Sequence, residues 1–137
     1  DLKSPNLLLF RHNGRDVVKI CDFGLSKFRE AATASNSGGI KGTPAWMPPE
    51  AFGKDKVTKK KLRPTKAFDV YSFGMVIFEF LARVVPWKGK DIYDIIEQLK
   101  DEPDERPAIP AGVEVDDGLV ELMVRCWATD PNARPNF

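Results

Sequence analysis

Residues 68–85 form a stretch that is apolar almost all round, and it constrains the fold more than any other feature. A helix with apolar residues on every side is stable only where other elements cover it, so a buried central helix is predicted. Its unbroken apolar runs are too short to span a membrane. Glu79 and Arg83 interrupt it four residues apart and are expected to pair along the helix.

Two later segments repeat apolar residues with the 3.6-residue period of a helix. The first follows a candidate cap at Asp91, and the second follows Asp116 or Asp117. Prolines at positions 103, 107 and 110 lie between them. Two amphipathic helices joined by a loop are therefore predicted.

Near the start of the chain, two short apolar runs flank the dipeptide Asn13-Gly14. Asn-Gly suits the two positive-φ positions of a type I′ turn, so an antiparallel hairpin is predicted. Counting back from the turn places Asn6 opposite Cys21. Asn6 and Asp22 are therefore expected to meet at the open end of the hairpin.

Composition and charge exclude several classes of protein. The 137 residues are 42% hydrophobic and 30% charged, which is typical of a globular domain. A net charge of +1 gives no overall attraction to nucleic acid or anionic lipid, so neither nucleic acid nor a membrane is an expected partner. Cys21 and Cys126 lie in apolar runs and are expected to be buried free thiols in an intracellular, cytoplasmic protein. Because the chain begins without methionine or a signal peptide, further sequence is expected upstream.

Three short motifs follow one another in the chain. Residues 1–6 read D-L-K-S-P-N, residues 22–24 read D-F-G, and Pro49-Glu50 ends a variant of A-P-E. These fit the catalytic loop, the metal-binding motif and the end of the activation segment of protein kinases. Each motif alone is a weak signal, but their order and spacing make a strong joint one.

On these motifs the chain resembles eukaryotic protein kinases along its whole length, and it is most similar to the tyrosine kinase-like group. The resemblance implies an α+β fold, a mainly helical C-terminal lobe with a short β-hairpin at the catalytic loop. Residues 1–137 would then be a partial kinase domain that lacks the N-terminal lobe. The implied activity is transfer of the ATP γ-phosphate to serine and threonine hydroxyls of protein substrates in signalling, with ATP and Mg²⁺ as cofactors.

Four polar residues are the candidates for this chemistry. Asp1 is the catalytic candidate that accepts or orients the substrate hydroxyl proton. Lys3 is expected on the same side, where the resemblance implies that it steadies the γ-phosphate. Asn6 and Asp22 offer the oxygen ligands that magnesium prefers.

Further residues match family positions. The resemblance makes Leu8 the floor under adenine and places Cys21 at the border of that pocket. Glu50 and Arg134 match a buried salt bridge, and Asp69 matches a helix residue that hydrogen-bonds the catalytic-loop backbone. The three tryptophans are expected to pack in the core or a groove, and the single histidine to be solvated.

Two features depart from the family pattern, and one loop is a candidate for regulation. Pro48 stands where alanine is usual. Residues 54–66 are longer than is usual and rich in lysine, either as a solvated insert or as a docking patch for an acidic or phosphorylated partner. Thr33, Ser35 and Ser37 are predicted phosphorylation sites in a polar, glycine-flanked loop, with an unmodified loop as the alternative.

Three functions remain open on the sequence, and one of them is a free-standing helical binding module. An active Ser/Thr kinase is favoured by the catalytic residues and by Lys3 and Gly42-Thr43, since tyrosine kinases usually differ at both places. A pseudokinase or interaction scaffold is the alternative, because residues 1–137 contain no glycine-rich loop and no strand lysine. Without an N-terminal lobe of the same kinase as partner, the isolated fragment is expected to be inactive.

Overall fold

The structure, a computed structural model, describes residues 1–25, 43–53 and 64–137. In these ranges the chain forms a hairpin followed by three α-helices. The strands are β1 (Leu7–His12) and β2 (Arg15–Ile20), and the helices are α1 (Lys66–Ala82), α2 (Ile92–Asp101) and α3 (Asp117–Cys126). The predicted α+β class, mainly helical with one short hairpin, is confirmed.

The hairpin has the predicted turn and register. Asn13 and Gly14 have φ values of 49° and 75°, as a type I′ turn requires. β1 and β2 pair antiparallel from His12 opposite Arg15 to Leu7 opposite Ile20. One residue further on, the Cys21 amide donates to the Asn6 carbonyl oxygen at 2.8 Å. The open end of the hairpin therefore joins the residues before β1 to those after β2.

Helix α1 is the predicted central helix, although it begins two residues earlier than residue 68 and ends three residues before residue 85. Tyr71, Met75 and Phe78 on it are almost fully buried. The helix ends because Arg83 adopts the left-handed conformation, with φ of 53°. Where α1 meets α3, a Cβ at Gly74 would lie 3.0 Å from the Cys126 Cβ atom, so glycine permits this close approach.

The two amphipathic helices are capped by aspartates. The Asp91 side chain accepts hydrogen bonds from the amides of Tyr93 and Asp94, at 2.8 and 2.9 Å. Of the two candidates for the later helix, Asp116 is the cap, since its side chain accepts from the Leu119 amide at 2.8 Å. Both helices therefore begin where unpaired backbone amides find a side-chain acceptor.

The predicted burial of single residues is largely confirmed. The three tryptophans are buried in the core, and His12 is exposed. Cys21 and Cys126 are free thiols. Cys126 is buried, and burial raises the pKa of its thiol above the ordinary value, which keeps it protonated. Cys21 is only half-buried, so its predicted burial is wrong; it follows an exposed strand at the edge of the fold.

The expected salt bridge between Glu50 and Arg134 is present and buried. The two guanidinium NH₂ groups donate to the two carboxylate oxygens at 2.7 and 2.9 Å. The Arg134 side chain is 0% exposed and also donates to the carbonyl oxygens of Ala67, Ala128 and Thr129. One side chain thus ties the 49–52 turn to the start of α1 and to the residues after α3.

Tyr71 lies next to this salt bridge in the core. The guanidinium carbons of Arg106 and Arg134 lie 5.2 and 5.0 Å from the centre of its ring. Its buried hydroxyl has no hydrogen-bond partner among the residues that the structure describes. Burial raises the pKa of Tyr71 from 10.0 to about 12, and the two nearby guanidiniums only partly oppose that rise.

Two expectations for α1 differ from the structure. The Glu79 carboxylate accepts a hydrogen bond from the Trp46 indole nitrogen, and within the described ranges it forms no ion pair with Arg83. Arg83 lies beyond the last helical turn in the left-handed conformation, so the i,i+4 geometry is lost. Asp69 is exposed, and within the same ranges its carboxylate accepts no hydrogen bond.

Several expectations fall on residues that the structure leaves out. Thr33, Ser35, Ser37, Gly42 and positions 54–63 of the lysine-rich stretch lie outside the described residues. Within those that are described, no helix is long and apolar enough to cross a membrane.

Replacing Arg134 by alanine tests the role of the buried salt bridge. The change leaves the Glu50 carboxylate without its counterion and three carbonyl oxygens without a donor. We expect the free energy of unfolding to fall by about 3–5 kcal/mol, measured by urea denaturation. The exposed residue Arg15 supplies a control, because Arg15→Ala removes the same charge without breaking a buried contact. Equal losses in the two variants would contradict this role.

Replacing Tyr71 by phenylalanine tests the buried hydroxyl. Between pH 10 and 12 the folded protein keeps the phenolic proton that the unfolded chain releases, so stability is full below pH 10 and falls as pH rises. Tyr71→Phe has no such proton. We expect the wild type to lose about 1 kcal/mol relative to Tyr71→Phe between pH 8 and pH 11, measured by denaturation at both values. Parallel pH profiles for the two proteins would show that the hydroxyl titrates normally.

Candidate active site

The carboxylate of Asp1 is the centre of the candidate site. Its Oδ2 atom lies 2.8 Å from the Lys3 ammonium nitrogen, and its Oδ1 atom accepts a hydrogen bond from the Thr43 amide at 3.0 Å. The Lys3 ammonium also donates to the Thr43 hydroxyl at 2.6 Å. The Asp1 and Lys3 side chains are only 11% and 20% exposed. A carboxylate, an ammonium group and a hydroxyl from distant parts of the chain therefore converge.

Asn6 fixes the backbone of residues 1–6 by two hydrogen bonds. Its side-chain amide nitrogen donates to the Asp1 carbonyl oxygen at 2.8 Å, and its backbone amide donates to the Lys3 carbonyl oxygen at 3.0 Å. Pro5 fits the short 3₁₀ turn at Ser4–Asn6 because its fixed φ suits the start of such a turn. Because the amide nitrogen is engaged, the side-chain oxygen of buried Asn6 is the atom left to act as a ligand.

Asp22 lies two residues after the end of β2 and has an unusual backbone conformation. Its φ is 59°, in the left-handed region, and its side chain is exposed. The Oδ1 atom accepts a long hydrogen bond of 3.3 Å from the Gly24 amide, and a Cβ at Gly24 would come within 3.1 Å of that oxygen. The glycine of the D-F-G motif thus leaves room for the Asp22 carboxylate.

The donor set at the open end of the hairpin fits magnesium. Asn6 and Asp22 are joined through the hydrogen bond from the Cys21 amide to the Asn6 carbonyl oxygen. An amide oxygen and a carboxylate are hard ligands, and Mg²⁺ in nucleotide sites takes one or two such ligands together with phosphates and water. Groups of three or more histidine, cysteine or acidic side chains placed to hold a metal are absent from the described ranges. An amide oxygen and one carboxylate leave positions on the ion for phosphate and water oxygens, so this donor set suits a metal that arrives with phosphate.

Of the two residues expected beside adenine, Leu8 lies on the hairpin and Cys21 directly follows it. Leu8 is 53% exposed on β1, opposite Lys19. Cys21 is half-buried next to Asp22. Phe23, which directly follows Asp22, is 66% exposed. The hairpin and the residues directly after it therefore present apolar side chains to solvent beside the metal-ligand candidates.

The 43–53 segment is fastened to α1 by contacts that the sequence did not predict. The Trp46 carbonyl oxygen accepts from the Ser72 hydroxyl at 2.8 Å, and the Trp46 indole nitrogen donates to Glu79 at 3.3 Å. These bonds place Thr43 where it can reach Asp1. The Glu79 carboxylate in an otherwise apolar part of α1 was the sequence signal for such a contact, because a carboxylate in apolar surroundings requires a nearby donor. The sequence analysis expected Arg83 to be that donor.

The arrangement supports proton transfer from a hydroxyl next to an anionic group. Each Asp1 oxygen has one engaged lone pair and retains another that can accept a proton. The Lys3 ammonium has a third N–H donor beyond those directed at Asp1 and Thr43. That donor and its charge can stabilise negative charge that develops beside Asp1.

Comparison with known proteins shows the family of the chain. Residues 1–137 match the sequence profile of protein tyrosine and serine/threonine kinases. Mitogen-activated protein kinase kinase kinase 12 of Rattus norvegicus is 37% identical over 137 residues, which is all of this chain and 14% of that protein. The dual specificity protein kinase shkA of Dictyostelium discoideum is 37% identical over 139 residues, all of this chain and 24% of that protein.

A third relative is the serine/threonine/tyrosine-protein kinase HT1 of Arabidopsis thaliana, 36% identical over the whole of this chain and 31% of its own length. The chain thus spans less than a third of each of these relatives. The profile covers every residue of the chain. The chain belongs to the protein tyrosine and serine/threonine kinase family.

Proposed function

We propose that the chain supplies the catalytic-loop half of an active protein kinase that transfers the γ-phosphoryl group of MgATP to serine and threonine hydroxyls of proteins. The observation that carries the proposal is the convergence of Asp1, Lys3 and Thr43. Thr43 lies 42 residues after Asp1 and 40 residues after Lys3 in the sequence. A scaffold protein has no evident need for a carboxylate and an ammonium group held in this way.

Asp1 and Lys3 have separate roles in this proposal. Phosphoryl transfer requires an attacking hydroxyl in line with the phosphorus atom and compensation of the charge on the phosphate oxygens. Asp1 accepts the hydroxyl proton and orients the oxygen that carries it. Lys3 compensates negative charge on the transferred group. Thr43 keeps the two side chains at the observed separation through its amide and its hydroxyl.

Asn6 and Asp22 would hold Mg²⁺ through the amide oxygen and the carboxylate. When bound, the ion neutralises charge on the ATP phosphates and orients them. Asn6 is suited to this task because its backbone and its amide nitrogen are fixed by Lys3, Asp1 and Cys21. Asp22 is exposed two residues after the end of β2 and is free to face a nucleotide.

The remainder of the nucleotide site is proposed to come from an N-terminal lobe of the same protein. Residues 1–137 contain no glycine-rich loop and no strand lysine, the parts that cover and grip the phosphates in kinases. The exposed side chains of Leu8 and Phe23 support such a partner, since ATP and the second lobe would cover them. On this basis residues 1–137 alone are inactive, and the whole protein acts inside the cell on protein substrates.

Serine and threonine are the proposed acceptors because of Lys3 and Thr43. The lysine lies where it reaches both the Asp1 carboxylate and the Thr43 hydroxyl, so neither residue is incidental to the site. The names of the similar proteins include serine/threonine and dual specificity kinases. A dual specificity remains within the same chemistry, and the acceptor is decided by product analysis.

Changing Asp22 to asparagine tests the proposed activity. The side chains have nearly the same shape, so the fold is retained while the charged magnesium ligand is lost. We expect kcat for peptide phosphorylation by the full-length protein to fall by about a hundredfold or more. Phosphate incorporation and the identity of the phosphorylated amino acid are measured together, with unchanged thermal unfolding as evidence of folding.

The matched control for this experiment is Asp16→Asn. Asp16 is an exposed aspartate on β2 whose one described ion pair, with Arg11, is long at 3.9 Å. Its replacement is expected to leave kcat unchanged. Near-normal activity of Asp22→Asn at ordinary magnesium would contradict the proposed metal site, and phosphotyrosine as the sole product would contradict the proposed acceptor.

A further inference from the structure

Ser72 places a hydroxyl in the buried, mainly apolar part of α1, where it is only 7% exposed. Serine is a weak helix former, and within a helix its hydroxyl often bonds a carbonyl oxygen of the preceding turn. The Ser72 hydroxyl instead donates to the Trp46 carbonyl oxygen at 2.8 Å, across 26 residues of sequence. This hydroxyl therefore joins the central helix to a separate segment of the chain.

The Trp46 carbonyl oxygen depends on this donor because the chain directly after it is poor in amides. Trp46 is buried and ends the short 3₁₀ turn Pro44–Trp46. In such a turn a carbonyl oxygen accepts from the amide three residues further on. That residue is Pro49, and the residue before it is Pro48, so neither has an N–H group. The Ser72 hydroxyl takes the place of the missing amide.

A continuous series of hydrogen bonds leads from this contact to Asp1. The Trp46 amide donates to the Thr43 carbonyl oxygen at 3.0 Å, and the Thr43 amide donates to the Asp1 Oδ1 atom at 3.0 Å. Glu79 accepts from the Trp46 indole at 3.3 Å and so fixes the side chain, whereas Ser72 fixes the backbone. A shift of the Trp46 backbone therefore moves the Thr43 amide relative to the Asp1 carboxylate.

We propose that Ser72 is a positioning residue for phosphate transfer, which acts through Trp46 and Thr43 on the orientation of the Asp1 carboxylate. The inference rests on the proposed kinase function, because that function makes the orientation of Asp1 important. A small displacement of a group that must align with the attacking hydroxyl slows the chemical step. Nucleotide binding is independent of Ser72, since the hairpin holds the metal-ligand candidates.

Kinetics on the full-length protein test the inference. In Ser72→Ala we expect kcat for a serine peptide to fall about tenfold or more, with KM for ATP unchanged. Ser72→Thr keeps a hydroxyl on the same carbon atom, and its kcat is expected to stay within about threefold of the wild-type value. The control is Leu122→Ala on α3, which removes contacts with the core and lowers thermal stability but should leave kcat unchanged.

Amide hydrogen exchange, followed by mass spectrometry, measures the positioning without any phosphate transfer. In Ser72→Ala we expect peptides that contain residues 43–47 to exchange about tenfold faster than in the wild type, with α3 peptides unchanged. Leu122→Ala should show the reverse pattern. A wild-type protein that transfers no phosphate would contradict the proposed function, whereas the exchange rates show separately whether Ser72 holds the segment.

Three results would overturn the inference. The first is a wild-type kcat in folded Ser72→Ala. The second is equal exchange of residues 43–47 in the wild type and in Ser72→Ala. The third is an equal fall of kcat in Leu122→Ala, because loss of stability alone would then account for the effect of Ser72→Ala.

Discussion

The rest of the structure depends on the hydrogen bonds and the salt bridge that the buried Arg134 guanidinium forms. A charge without solvent is stable only where every donor has a partner. Arg134 has five N–H donors, and the structure gives five acceptors for them, two on Glu50 and three on backbone carbonyl oxygens. Those acceptors belong to the 49–52 turn, the start of α1 and the residues after α3. A single side chain thus fixes the positions of three parts of the chain relative to one another.

The candidate site follows from that arrangement. With the 49–52 turn fixed by Arg134, Trp46 is held against α1 by Ser72 and Glu79. Thr43 is then within reach of Asp1, although 42 residues separate them. The helical core therefore sets the geometry of Asp1 and Thr43 in the candidate site, while the hairpin positions the metal-ligand candidates. Two independent supports meet at residues 1–6.

Features that depend on neighbouring residues could be predicted from the sequence. The Asn13-Gly14 turn fixed the hairpin register, and the aspartate at position 91 marked a helix start, because both effects act over a few residues. The salt bridge between Glu50 and Arg134 was expected only through the resemblance to kinases. Composition and periodicity contain no information on a pair separated by 84 residues.

Contacts between distant segments account for what the sequence did not predict. Glu79 was expected to pair with Arg83 because i,i+4 pairs are the local rule. The helix instead ends at Arg83, and the Glu79 carboxylate turns to the Trp46 indole. The position of Tyr71 beside two guanidiniums also depends on how α1 meets the later part of the chain. The lack of a partner for its hydroxyl among the described residues had no signal in the sequence.

The central claim is that Asp1, positioned by Lys3 and Thr43, accepts the proton of a substrate hydroxyl during phosphate transfer. The most direct measurement is single-turnover phosphorylation of a serine peptide by the full-length protein and by its Asp1→Asn variant at saturating MgATP. The account predicts that the variant binds nucleotide normally and transfers phosphate at least about a hundredfold more slowly. Transfer at the wild-type rate by a folded, nucleotide-bound Asp1→Asn variant would contradict it.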